Sequence, residues 1–323
     1  MTDIRPTVPT APTAPAGSPA RPSAAEDTGM RPRELRDGQR TCVWIASVDS
    51  SVPELVHETS GLLLEAPNWS ADGSHLLLNG GGRLWRLGLT EGSPGLSEIP
   101  LDGVPPINND HVLSPDGTRV FLSGMDGHLY RAPAAGGSGS RLTGDDGLLH
   151  FLHGISPDGG TLAHVAIPRG TTGVPGRLAL MPAGGGPSTL VDTGAGHVDG
   201  PEYSPDGEWI HVNTEAFASA PGHAQLARLP ATGGRLERLV VSDTVDWFPH
   251  LSPDGRFATY VAFPAGTLGH PEDVHVKVHV VSTEAWGTPL RTYPLFGGQG
   301  TLNVNSWAPD SRHFAFVSYP VLA

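Results

Sequence analysis

Short apolar runs recur along this chain, each bounded by polar turn residues. His75–Leu78, Arg119–Leu122, Thr161–Ile167, Trp209–Asn213, Phe257–Phe263 and His313–Tyr319 are such runs. Their length and their aliphatic, β-branched and aromatic content predict strands. No stretch keeps a 3.6-residue apolar period over helical length. A tetrapeptide marker precedes each run: Ser70-Ala71-Asp72-Gly73, Ser114-Pro115-Asp116-Gly117, Ser156-Pro157-Asp158-Gly159, Ser204-Pro205-Asp206-Gly207, Ser252-Pro253-Asp254-Gly255 and Ala308-Pro309-Asp310-Ser311. Proline presets φ for the first central residue of a type I turn, aspartate suits the second, and glycine takes the left-handed position that leads into the next strand.

The markers are spaced 44, 42, 48, 48 and 56 residues apart, the period of a four-stranded propeller blade. Third strands follow at Arg83–Leu89, His128–Ala132, Arg177–Met181 and Gln225–Leu229, and Pro-Ala segments rich in glycine (133–137, 182–185, 230–234) lead into the fourth. The last unit is short, and Thr41–Val48 and Glu54–Glu58 precede the first marker. These features predict an all-β fold, a six-bladed β-propeller of four antiparallel strands per blade, with the sixth blade closed by strands from both termini, so that no edge stays unpaired.

Composition adds the limits. Gly and Pro number 43 and 32 of 323 residues, in keeping with frequent turns. Residues 1–38 are rich in Pro, Ala, Thr and Ser, too polar to bury a core, and are expected to form a disordered tail before a propeller at 39–323. Net charge is −13 with no basic stripe, which argues against nucleic acid and anionic membranes as partners. One cysteine, Cys42, excludes an intrachain disulfide. No apolar run reaches the about 18 residues of a membrane span, and residues 1–38 hold no apolar signal core. A cytoplasmic protein is expected.

The repeats resemble the PD40, or WD40-like, repeat of the TolB-like six-bladed propellers over roughly residues 41–323. A narrower similarity, to a bacterial group within that family, rests on Asn108-Asn109-Asp110-His111, Leu152-His153-Gly154, Asp199-Gly200-Pro201-Glu202-Tyr203, Trp247-Phe248-Pro249-His250, Gly269-His270-Pro271 and Phe296-Gly297-Gly298-Gln299-Gly300-Thr301. It implies the fold and no particular activity. In residue types, though not in an aligned motif, the chain is also similar to oligogalacturonate lyases, propellers that hold a divalent metal with histidines and a glutamine.

Propeller geometry sorts the candidate chemistry. Innermost strands line the channel; the markers lie on one rim, and the loops entering the innermost strands lie on the other. Asn109, Asp110, His111, His153, Asp199, Glu202, Trp247, His250, Gln299 and Asn303 all lie on or near such an approach, and His270 lies on the same rim in the loop 264–273, expected to be the longest between a second and a third strand. His111, His153, His250 and Gln299 are the candidate ligands for a divalent metal of the Mn, Zn or Ca type. Glu202 and His153 are the candidate acid–base residues, and Asn109, Asp110, Asp199, Trp247, His270 and Asn303 the candidate ligand contacts. His275 and His279 would sit about 13 Å apart on a strand, too far to share an ion. Trp69, Tyr203 and Trp307 are expected to pack between blades. No serine-hydrolase elbow, phosphate loop, His-Glu-x-x-His or Cys-x-x-Cys occurs. Two readings stay open: a propeller binding a small molecule or carbohydrate-like ligand at one mouth of its channel, as a metal-assisted lyase or hydrolase, or a non-enzymatic scaffold or sensor for a protein partner.

Overall fold

A computed structural model describes residues 28–218 and 220–321. Six sheets stand around a channel. The first five blades each run from the channel outwards: Glu65–Trp69, His75–Gly80, Arg83–Gly88 and Leu96–Ile99; Ile107–Leu113, Arg119–Gly124, Leu129–Pro133 and Ser140–Arg141; Leu148–Ile155, Thr161–Pro168, Arg177–Pro182 and Thr189–Leu190; Val198–Tyr203, Trp209–Thr214, Gln225–Pro230 and Glu237–Arg238; and Val245–Leu251, Phe257–Phe263, Glu272–Ser282 and Arg291–Gly298. Among the described residues no helix forms.

The sixth blade joins the two ends of the chain, as the repeat arithmetic requires. His313–Ser318 pairs antiparallel with Thr41–Ser47, register Cys42 to Ser318 through Ser47 to His313, and Ser50–Thr59 forms the outer strand. The channel side is an irregular run before the marker, held by the Trp307–Phe314 bridge and by Val317 N–H donating to Thr301 O. A single strand follows the last marker.

The markers do what their chemistry predicts. In blade 2, Gly117 N–H donates to Ser114 O at 2.8 Å, Asp116 accepts from Thr118 N–H at 3.0 Å, and Gly117 takes φ 68°. The Ser114 hydroxyl, with the Thr118 N–H and hydroxyl, donates to the carboxylate and holds the Asp116 pKa down to about 2. The turns also touch: a Cβ on Gly159 would meet Pro115 Cδ of the preceding blade at 3.4 Å, and one on Gly207 would meet Pro157 Cδ at 3.5 Å. Where the last marker has Ser311 instead of glycine, its hydroxyl accepts from Asp254 N–H of blade 5 at 3.0 Å. The turns thus form a second, tighter ring on the closed rim.

The core lies between blades. Leu77 and Leu84 of blade 1 pack against Ile107, Val120 and Leu122 of blade 2, and Val112, Phe121 and Leu129 of blade 2 against Leu152, Leu162 and Met181 of blade 3. Trp69, Tyr203 and Trp307 join these inter-blade clusters, as expected. Each innermost strand of blades 1 to 5 carries a register shift, between Glu65 and Asn68, Ile107 and His111, Leu152 and Gly154, Asp199 and Glu202, and Trp247 and His250. Ala66, Gly200 and Phe248 take positive φ there. Such bulges re-aim side chains, so the strand alternation does not by itself say which residues face the channel.

The boundary expected at residue 38 lies further back. Residues 1–27 of the expected tail fall outside the described residues, but 28–38 are laid across the open rim. Arg33 is the reason. Its guanidinium is nearly buried, lies 4.3 Å above the Tyr319 ring, and reaches Asp273 at 2.7 Å, Glu65 at 3.5 Å and Gln299 O at 2.8 Å. Asp273 also accepts from Arg36 at 2.8 Å and Gln39 at 2.6 Å. A Pro/Ala composition could not announce a strap held by a few buried charges. The loop 264–271 is also shorter than its counterpart 215–224 in blade 4, not the longest of its kind. Replacing Arg33 by Met leaves Glu65 without its buried cation and Asp273 dependent on the exposed Arg36, and urea unfolding should report a loss of about 3 kcal/mol; an unchanged midpoint would show that the strap contributes nothing to stability.

Candidate functional site

The strands that enter the channel from blades 2 to 5 deliver their polar groups to one cavity of about 770 Å³ on the open rim. Its floor is polar: Asn109, Asp110, His153, Asp199, Gln299 and Asn303. Its walls are largely apolar, with Met125, Phe151, Ile167, Val174, Trp247, Phe248 and Leu268, and the strap contributes Met30 and Arg31. Blade-to-blade spacing explains the meeting. Asp110, His153 and Asp199 sit on three adjacent blades, each at or beside the bulge of its innermost strand, after Ile107, Leu152 and Asp199.

Asp199 is the hub of the floor. Its Oδ1 accepts from His153 Nε2 at 2.9 Å and from Gly200 N–H at 2.7 Å; its Oδ2 lies 3.3 Å from His197 Nε2 and 3.9 Å from His270 Nε2. His153 Nδ1 faces Asn303 O at 3.4 Å, and Nε2 is 4.0 Å from Asp110. Both ring nitrogens therefore face acceptors, which suits an imidazolium. Burial by itself would lower the His153 pKa, but Asp110 and Asp199 outweigh it and raise it to about 9. Burial likewise works against the Asp199 carboxylate, yet His153 and His197 hold it well below the usual range. Asp110 differs. Burial and the neighbouring Asp199 push it up to about 6, against the opposing pull of His153 and of the Asn108 and Asn303 amides.

An amide network frames these charges. Gln299 donates to Asn109 Oδ1 at 3.2 Å and accepts from Asn303 at 3.2 Å and from the His270 ring. Burial lowers the pKa of His270. Its ring packs on Trp247 at 4.4 Å and Phe248 at 5.2 Å.

The expected metal quartet does not come together. His111 is fully buried beside Leu77, away from the cavity lining, with its pKa pushed down by burial to about 4. His250 lies deeper in the channel, with Nδ1 against Glu202 at 2.6 Å and Nε2 against Leu302 O at 3.1 Å. Gln299 belongs to the amide network and His153 to Asp199. The imidazoles that do gather, those of His153, His197 and His270, surround a carboxylate where a shared ion would have to sit. Among the described residues no group of three His, Cys, Asp or Glu side chains is placed to hold a metal. Glu202, the candidate base, is also taken: its carboxylate binds His250, Leu251 N–H at 2.8 Å and Asn305 at 2.7 Å, and it does not line the cavity. Asn109, Asp110, His153, Asp199, Trp247, His270, Gln299 and Asn303 do line it. Sequence reasoning missed His197, although it precedes Asp199 by two residues on the same approach, and it missed the strap.

No protein-family model matches the chain. It is 36% identical over 284 residues, 87% of its own length and 92% of the other's, to "Uncharacterized protein Atu1656" of Agrobacterium fabrum. A solved structure of "putative TolB" from Agrobacterium tumefaciens superposes with TM-score 0.78 at 34% identity, covering 88% of this chain and 99% of that one. The chain belongs to the TolB-like six-bladed β-propeller family. An oligogalacturonate lyase in complex with manganese is similar in fold alone, with TM-score 0.51, 16% identity and 82% and 74% of the two chains covered. In this TolB-like propeller no helix among the described residues is long and apolar enough to cross a membrane.

The raised His153 pKa has a consequence for stability. The unfolded imidazole titrates near 6.5, so the ion pair's full contribution is present below about pH 6.5 and is lost as pH rises through about 9. Unfolding free energy should fall across that window by on the order of 2–3 kcal/mol more in wild type than in His153→Gln. An NMR titration of the His153 ring with a midpoint near 6.5 would contradict the clamp.

Proposed function

We propose that this TolB-like propeller binds one small molecule at the mouth of its channel, with the ligand's polar head on the floor and its apolar body along the walls. The observation that carries the reading is the cavity. About 770 Å³ falls in the range of small-molecule sites, and apolar walls around a few convergent polar groups with displaced pKa values are the usual composition of such sites.

The lyase or hydrolase form of this reading needs different residues from those expected. Glu202 is engaged on both oxygens, so Asp110, which faces the cavity with its pKa pushed up to about 6, takes its place as proton acceptor. His153, with both ring nitrogens already facing acceptors, supplies a fixed positive charge beside it. The manganese of the oligogalacturonate lyase has no counterpart in the donor set here, so no step is routed through a metal.

Ile167 offers the test, because it borders the cavity from a strand and is only half-buried. A tryptophan there would fill the space without touching the charged floor. Ligand-observed NMR with a set of small fragments should return binders to wild type whose signals vanish with Ile167→Trp. A set in which no fragment distinguishes the two proteins would remove the binding reading.

A further inference from the structure

The floor of the cavity is one positive charge short. His153, with acceptors at both ring nitrogens, is matched by Asp199 at 2.9 Å. Burial lowers the pKa of His197 and Asp199 raises it further than that, yet Nδ1 accepts Gly176 N–H at 2.8 Å, which leaves the ring one proton, on Nε2, and no net charge. Arg31 and Glu215, one charge of each sign, also border the cavity. Asp110 remains. Its Oδ2 accepts from Asn108 at 2.7 Å, but its Oδ1 lies 4.0 Å from His153 Nε2, beyond hydrogen-bond distance. The carboxylate is 5% exposed and borders the cavity.

We propose that the ligand is a primary amine on an apolar body, its ammonium group seated against Asp110 and its body along Met125, Phe151 and Ile167. This rests on the binding reading above and names its ligand class. A carboxylate in a largely dry site is costly unless a cation and hydrogen bonds compensate it. An ammonium supplies both, through three N–H donors and a full charge, and the amide oxygens of the floor can take the donors that Asp110 leaves. The net charge of −13 attracts cations from solution in the same sense. An anionic ligand would add a further negative charge beside Asp110 and Asp199 with no arginine or lysine on the floor to meet it. Sugar acids are therefore the wrong class for this cavity, in contrast to what the lyase similarity suggests.

Three probes of one shape and different charge test this: 3-phenylpropylamine, 3-phenylpropanol and 3-phenylpropanoate, each titrated calorimetrically into the full chain near neutral pH. The amine should bind at least about tenfold more tightly than the alcohol, a difference of about 1.4 kcal/mol, and the carboxylate should bind most weakly. In Asp110→Asn the amine should lose its advantage over the alcohol. Equal or tighter binding of the carboxylate, or amine binding that survives Asp110→Asn, overturns the amine assignment and leaves the binding reading standing. Binding of none of the three, with no fragment distinguishing Ile167→Trp, overturns both. The wild-type comparison decides the charge preference even if the variant fails to fold.

Discussion

The channel and the cavity at its mouth depend on the pairing of Thr41–Ser47 with His313–Ser318. A propeller sheet has two edges, and an arc of five blades would leave an inter-blade apolar face open at each end. Joining the two ends of the chain within one blade covers both faces at once. It also sets the radius of the channel, because the blades are packed side by side with little slack. That radius brings Asp110, His153 and Asp199, contributed by three different blades, into contact around one point. The cavity is a by-product of closing the ring at this size.

The two rims of the ring are built on different principles. On the closed rim the markers repeat, and each turn leans on its neighbour through proline and glycine. The departures from the marker, at Ala71, Ala308 and Ser311, fall in blades 1 and 6, on either side of the seam where the ring is completed. Ser311 meets the blade 5 turn with a hydroxyl instead of a bare backbone. On the open rim nothing repeats. The approach strands carry different polar residues, the bulges turn them inward, and the strap anchored by Arg33 covers part of the mouth.

Charge organises the open rim. Asp199 collects the three imidazoles, and in doing so turns what residue types suggest as a metal site into a hydrogen-bonded anion. Each histidine is thereby given a different character: His153 is held protonated between two carboxylates, His270 is kept neutral by burial, and His197 accepts a backbone N–H on one nitrogen and faces Asp199 with the other. Asp110, which shares His153 with Asp199 and stands 4.0 Å from it, is pushed up to about 6 by burial and by Asp199. One site can therefore hold a fixed positive charge, a base and neutral hydrogen-bonding groups within a few ångströms.

Blade number, strand order and the two-ended sixth blade were legible in the sequence, because turn chemistry is local: Ser-Pro-Asp-Gly needs only its own backbone to specify a turn, and counting turns counts blades. The rim on which the cavity opens was legible for the same reason, and with it Asn109, Asp110, His153, Asp199, Trp247, His270, Gln299 and Asn303 as its lining. Which of these touch was not. A register shift of one residue reverses the side of a strand that a side chain occupies, so Glu202 and His250 turned to each other deeper in the channel, and His111 turned into the seam between blades 1 and 2. The strap was hidden as well, since a buried arginine finds its carboxylates at Glu65 and Asp273, far away in the chain. Local backbone chemistry determined the propeller; long-range electrostatics, available only once the ring has closed, decided the site.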